Sequence, residues 1–314
     1  MTQRRAPHGA RLDFLDVGDG ARIRHAYWSV ENPKGSVLLL PGFSEFIEKY
    51  IEVADDLTAR GYAVHCVDWR SQGLSSRSLE DTHKVHIESF DQYLSDLHRL
   101  IQVLIRGDTP KPVFIVAHSM GGHIALRYLH DHPHAVSGAI LSAPMVEINF
   151  TPAMKVVARL LTRLMPLIGM SDSYVVGSRQ YGPARQRFEG NRLTSDEYRF
   201  AAAHAEITAN PELAIGGPTY GWLSAAMRSC QILNGAGFPE AIKTPIWIAG
   251  AGIDGVVMTA AQERFAARAP SVSFHPIDGS RHEILMERDE IRTKFYDLFD
   301  DFTASLGGDS GASQ

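Results

Sequence analysis

The stretch Val113–Leu129, "VFIVAHSMGGHIALRYL", decides how the rest of the chain is read. "VFIVA" is a run of apolar β-formers of strand length, and "HIALRYL" has helical spacing. Ser119 stands at the junction, followed by Gly121 and Gly122. A serine there can cap the helix, accepting from its free first-turn amides. It can also be a nucleophile presented on a sharp strand-to-helix turn, the setting of the G-x-S-x-G motif. Such a turn needs small residues two before and two after the serine. Ala117 and Gly121 occupy those places; alanine departs from the written pattern but keeps the position small. A simple cap gives no reason for two glycines, each costing roughly 1 kcal/mol in a helix. The junction favours the nucleophile, provided its partners exist.

Outward from that point, strands and helices alternate. Upstream lie a hairpin over residues 11–28, the strand "SVLLL" (Ser36 to Leu40), a helix over "IEKYIEVADDLTARG", the strand "YAVHCVD" and a helix over "SFDQYLSDLHRLIQVLI". Downstream, "SGAILSA" reads as a strand. The alternation then stops from Met145 to Pro239, and resumes with "TPIWIAGAG", "TAAQERFAARA", "SVSFHPID" and a closing helix over "ERDEIRTKFYDLFDDFTASL". Strand alternating with helix predicts a parallel sheet covered on both faces. The simplest organisation is a sheet domain made of residues 1–144 and 240–306, interrupted by a mostly helical cap over 145–239. The tail, 307–314, has nothing to bury and is expected to be disordered.

The 314 residues, 44% of them apolar and 21% charged, suit a globular protein with a sizeable core. A net charge of −5 gives no reason to expect nucleic acid as a partner. No apolar run is long enough to cross a bilayer, and the basic N-terminus has no apolar core of a secretory signal behind it. Cys66 and Cys230 stand far apart without metal-type or redox-type neighbours. They read as buried reduced thiols, which fits a cytoplasmic protein. Composition carries no signal for an oligomeric state.

A nucleophilic serine needs a base, an orienting acid and donors for an oxyanion. With this strand order they should follow in the chain order serine, acid, histidine, in loops at the C-terminal ends of later strands. Asp254, after "IWIAGAG", and His282, in "DGSRHEIL", meet that test; Asp278 is a rival acid. Gly42-Phe43, after the "LLLP" strand, is placed to donate one backbone N–H, and Met120 the other. Any one of these has an ordinary reading as a turn or surface residue. The conjunction of four features in the right order does not.

Together, "PGFSEFIEKY", "DWRSQGLSSR", "AHSMGGHIALRYL", "GAGIDGVV" and "GSRHEILMERDEIR" resemble the α/β-hydrolase superfamily. Within it, the chain is most similar to the lysophospholipase and monoacylglycerol-lipase branch, and above all to bacterial lysophospholipases, which "GGPTYGW" (Gly216 to Trp222) also resembles. Pro41 where monoacylglycerol lipases usually have histidine, and Ala117 where they have glycine, point the same way. The resemblance implies an α/β-hydrolase fold, a mostly parallel central sheet flanked by helices, with an inserted helical cap. It implies Ser119 as nucleophile, Asp254 as acid, His282 as base, and the amides of Phe43 and Met120 as the oxyanion hole. The activity implied is hydrolysis of acyl esters of lysophospholipids or monoacylglycerols, with no metal or organic cofactor. The alternative is a carboxylesterase or serine peptidase of the same fold acting on a non-lipid substrate. A silent ligand-binding protein on this scaffold would be expected to have lost a triad member, and none is missing.

Other signals compete. "GAGIDG" (Gly250 to Gly255) is formally a dinucleotide-binding G-x-G-x-x-G. The helix it needs would have to open at the glycines, but Val256-Val257-Met258 intervenes and Thr259 makes the better cap. "HDHPH" (His130 to His134) reads as the polar end of a helix rather than a metal site. Asp68, Arg70 and Gly73 read as braces of a loop near the site. "TPAMKVVARLLTRLMPLIGM" is amphipathic, with Lys155, Arg159 and Arg163 on one face and Val156, Leu160, Leu164 and Ile168 on another. Such a helix packs on its own domain or makes transient contact with a membrane surface. Tyr220 and Trp222 are candidate aromatics of the substrate pocket.

Overall fold

The computed structural model describes residues 9–105 and 109–307, with the side chain of residue 307 excepted. Of the tail expected to be disordered, residues 308–314 lie outside the described residues. In chain order the elements before the junction are β1 (Arg11–Asp16), β2 (Arg22–Trp28), β3 (Gly35–Leu40), α1 (Ile51–Ala59), β4 (Tyr62–Val67) and α2 (Asp91–Leu100). β5 (Val113–His118), α3 (Ser119–Asp131) and β6 (Gly138–Ser142) follow. A single 3₁₀ turn, Ile47–Tyr50, leads into α1, and a π-helical turn, Ile101–Ile105, extends α2.

Next come α4 (Pro152–Leu167), α5 (Glu197–Ala209), α6 (Tyr220–Leu233) and the short α7 (Phe238–Ala241). The chain then returns to β7 (Ile246–Ala251), α8 (Thr259–Arg268), β8 (Val272–Ile277) and α9 (Asp289–Gly307). α8 opens at Thr259 as read, but Thr259 is not its cap. Met258 holds that place without a side-chain bond, and the Thr259 hydroxyl donates to the Ala251 carbonyl at 2.8 Å.

The strands form one sheet in the order β1-β2-β4-β3-β5-β6-β7-β8. β2 pairs antiparallel with β1 and β4, and all other pairs are parallel. Helices follow β3, β4, β5 and β7 in the chain, and the central strands are covered on both faces. That is why β3, β4, β5 and β6 are buried along their whole length and read as continuous apolar runs.

Between β6 and β7 the described residues contain no strand, only isolated bridges such as Tyr174 with Thr219. α6 is embedded, burying Tyr220, Trp222, Ala226, Cys230 and Leu233. α4 packs on α6, and α5 lies over the turn Ile47–Tyr50. α4 buries only Thr162 and leaves Val156, Leu160, Leu164, Leu167 and Ile168 exposed. Among the described residues no helix is long and apolar enough to cross a membrane.

Candidate active site

The turn from β5 into α3 holds Ser119 at φ +49°, a strained value for a residue with a side chain. The strain persists because the turn is wedged from both sides. A Cβ on Gly121 would stand 2.3 Å from the Leu40 carbonyl oxygen, and one on Gly122 would stand 2.8 Å from Pro144 Cβ. Those contacts explain the two glycines. Ser119 does not cap α3: His118 occupies the cap position and has no side-chain bond to the helix.

The Ser119 hydroxyl instead meets another side chain. His282 Nε2 lies 3.0 Å from Ser119 Oγ, and His282 Nδ1 lies 2.7 Å from Asp254 Oδ2. Since a carboxylate only accepts, Nδ1 carries the proton and Nε2 faces the serine as an acceptor. The other Asp254 oxygen accepts from the amides of Val256 (2.7 Å) and Val257 (2.9 Å). Burial raises the Asp254 pKa, but the bond and charge of His282 with these two amides prevail and hold it below the ordinary carboxylate value. Asp278, the rival acid, has its carbonyl within reach of Lys294 at the surface and takes no part in this line.

His282 is held by its neighbours in the chain and by residues far away. The Glu283 amide donates to the Leu193 carbonyl at 2.7 Å. The fully buried Glu287 accepts from the amides of Arg281 (2.7 Å) and Ser195 (3.0 Å). The segment before α5 therefore clasps the histidine loop, and no sequence spacing announces that contact.

The loop after β3 closes the opposite wall. The Gly42 amide donates to the Glu45 carboxylate and the Ser44 amide to the Gln72 side-chain oxygen. Among the described residues the Phe43 amide between them has no acceptor. Nor has the Met120 amide, one of the first-turn donors that a helix cannot satisfy internally. Gln72 also reaches Met120 Sδ at 4.0 Å. Asp68 braces the loop from behind, accepting from Ile47 N and Leu74 N at 2.8 Å and pairing with Arg24 at 2.7 Å.

A buried charge cluster, not anticipated from the sequence, lies next to the line of Asp254, His282 and Ser119. Lys49 Nζ donates to Glu45 Oε1 at 2.8 Å and to Glu283 Oε1 at 2.6 Å, and the Tyr50 hydroxyl donates to Glu45 Oε2 at 2.6 Å. Burial works against ionised Glu45, but Lys49 and its hydrogen bonds outweigh it and hold the pKa down to about 2. For Glu283, burial dominates and its pKa rises. The i,i+4 spacing of Glu45 and Lys49 was the available hint. His118, whose Nδ1 donates to the Ser142 carbonyl at 3.1 Å, packs against the His282 ring at 4.7 Å between centroids. Burial drives its pKa down to about 4.

These groups open on a cavity of about 310 Å³ lined by Ser119, His282 and Phe43 on one side. Phe200, Ile207, Leu213 and Ile215 from the segment between β6 and β7 form much of the other. Tyr220 and Trp222 do not line it. Both are buried in α6, and Trp222 packs behind Phe43, 4.5 Å between ring centroids. No cluster of three metal-ligating side chains occurs among the described residues.

The family profile described as "Serine aminopeptidase, S33" matches residues 31–289. Lysophospholipase L2 of Escherichia coli K12 is 29% identical over 95% of this chain and 88% of its own length. A probable lysophospholipase L2 of Haemophilus influenzae is 30% identical over 86% of this chain and 85% of its own. A soluble variant of the monoglyceride lipase of Saccharomyces cerevisiae, solved with a substrate analogue, superposes with a TM-score of 0.73. It is 21% identical, with 97% of this chain and 98% of that one covered. The chain belongs to this family of α/β-hydrolase-fold serine hydrolases, and it is an enzyme.

Proposed function

We propose that the protein hydrolyses acyl esters of lysophospholipids or monoacylglycerols, with Ser119 as nucleophile, His282 as base and Asp254 as orienting acid. The observation that carries this reading is the unbroken hydrogen-bond line from Asp254 through His282 to Ser119, ending in a cavity with an apolar wall. His282 takes the Ser119 proton as Oγ attacks the ester carbonyl. Asp254 keeps the imidazole in the right tautomer and stabilises it once charged. The free amides of Phe43 and Met120 receive the developing oxyanion, each worth roughly 3 kcal/mol. His282 then protonates the leaving alcohol, and water releases the acyl group by the same route. A lysophospholipase matching 95% of this chain and a probable lysophospholipase matching 86% of it support the lipid substrate.

The family description favours a second reading, an aminopeptidase. That activity needs an unengaged anion for the substrate's ammonium group. The two carboxylates lining the cavity, Glu45 and Glu283, both engage Lys49, so the ester reading is preferred.

On the same reading, residues 145–239 form a cap over the site, and α4 is its contact with lipid surfaces. Leu167 is 80% exposed and Val156 65%, with Arg159 and Arg163 alongside to meet anionic head groups. Cys66 and Cys230, both buried and unpaired, are consistent with a cytoplasmic enzyme.

The test is fluorophosphonate labelling with a substrate panel. Ser119 should be labelled, and Ser119→Ala should lower turnover by about 10⁴–10⁶. Long-chain lysophospholipids and monoacylglycerols should be cleaved faster than acetate esters or aminoacyl amides. Retained activity in Ser119→Ala refutes the nucleophile, and a preference for acetate or for aminoacyl amides refutes the lipid reading.

A further inference from the structure

Three cations line the cavity, Lys49, Arg185 and Arg199, and they are not equivalent. Lys49 is neutralised by Glu45 and Glu283. Arg199 is neutralised by Glu52, Asp196 and Asp289. Arg185, in the 3₁₀ turn Pro183–Gln186, has no carboxylate within ion-pair distance among the described residues. Its guanidinium donates from Nη1 to the Ile215 carbonyl at 3.1 Å, leaving the rest of its five N–H donors for something else.

Two residues before that turn stands Tyr181, another cavity residue, whose hydroxyl lies 2.7 Å from His204 Nδ1. Burial of the guanidinium lowers its pKa, Tyr181 and Tyr174 oppose that shift, and Arg179 adds to it. Arg185 is exposed as a residue, and at the cavity edge its charge has a like charge, Arg179, nearby and no carboxylate among the described residues to compensate it. An anionic ligand supplies that compensation, and a phosphate matches the planar fork of donors.

We infer that Arg185 is a specificity residue for a phosphodiester, receiving the phosphate oxygens of a lysophospholipid head group while the acyl carbonyl lies at Ser119. The inference rests on the proposed lipid-ester activity and narrows it. A monoacylglycerol offers Arg185 no anion, so the cavity prefers the phosphorylated substrate. The contact is made to the leaving group and adds no chemical step.

The experiment separates the two claims. Hydrolysis of p-nitrophenyl butyrate by the full chain serves as reporter, inhibited either by dodecylphosphocholine, a phosphodiester amphiphile, or by 1-O-dodecylglycerol, which is neutral. Arg185→Ala should weaken the first inhibitor relative to the second by roughly 10- to 100-fold, the range for hydrogen bonds to a charged group. Arg185→Lys, which keeps the charge and loses the fork, should fall between. The ratio of kcat/KM for oleoyl-lysophosphatidylethanolamine to that for monooleoylglycerol should drop by a similar factor in Arg185→Ala. Inhibitor ratios within twofold of wild type in Arg185→Ala overturn the role of Arg185, as does an equal loss for both inhibitors. If the wild type cleaves the reporter but neither lipid, the lipid-ester reading fails, while the inhibitor ratios still decide Arg185.

Discussion

Every residue of β5 is buried, whereas α4 buries Thr162 alone and turns most of its large apolar side chains to solvent. Both segments are rich in apolar residues, yet one is held between β3 and β6 in the sheet while the other packs mainly against α6. The difference separates two tasks. Ser119, Asp254 and His282 sit at strand ends, where the sheet over-determines their geometry and can sustain a strained serine. On the proposed reading, the residues that would meet the substrate's chain and head group come largely from the segment between β6 and β7, where side chains can change without disturbing the line of hydrogen bonds. Rigidity is spent on chemistry, and adaptability on selection.

A pair of glycine substitutions breaks or sharpens that contrast most strongly. Gly121→Ala places a methyl against the Leu40 and Pro41 carbonyl oxygens, both main-chain atoms that cannot rotate away. It should cost about 3 kcal/mol or more. Gly182→Ala, in the segment between β6 and β7, has nothing within 4 Å of the new carbon and an extended backbone. It should stay within about 0.5 kcal/mol of wild type. Urea denaturation of both variants checks this, and similar costs would show that the two regions are not packed differently.

Acid comes next. Burial depresses the pKa values of His65, His118 and His123, all within the sheet domain, to about 4. Each is neutral in the fold but protonated in the unfolded chain below about pH 6.5, so the unfolded state binds more protons between pH 6.5 and 4. Stability therefore falls as pH drops through that window, with each histidine contributing on the order of 3 kcal/mol by its bottom. The urea midpoint should be clearly lower at pH 5 than at pH 7.5. Equal midpoints would mean that these rings are not buried in their neutral form.

The smallest stability effect belongs to α4. Changing Leu160, Leu164 and Leu167 together to serine should leave the urea midpoint nearly unchanged, because these side chains are exposed. Cosedimentation with anionic phospholipid vesicles should fall severalfold. A large loss of stability, or unaltered vesicle binding, would remove α4 from the proposed lipid contact.

The inner strands β3 to β6 were legible because a strand buried on both faces must be apolar almost throughout, and such runs stand out against helical periodicity. The turn at Ser119 was legible because its glycines are otherwise costly. The 3₁₀ turn ahead of α1 and the capping of α8 were not, since both depend on contacts made by residues far apart in the chain. Tyr220 and Trp222 were drawn to the pocket by their chemistry. In the structure they fill space behind it, because the first two turns of α6 are buried all round.

By itself the sequence determined the βα alternation and which loops carry Ser119, Asp254 and His282, because strand burial and turn sterics act locally and leave marks in residue type. Only the tertiary structure decided that Glu283 and Glu45 share Lys49, that Glu287 ties the His282 loop to Ser195, and that Arg185 reaches the same cavity with no acid partner among the described residues. Apart from the i,i+4 pair of Glu45 and Lys49, those contacts join residues tens to hundreds of positions apart. Their energies come from burial and charge in three dimensions, which no periodicity along the chain encodes.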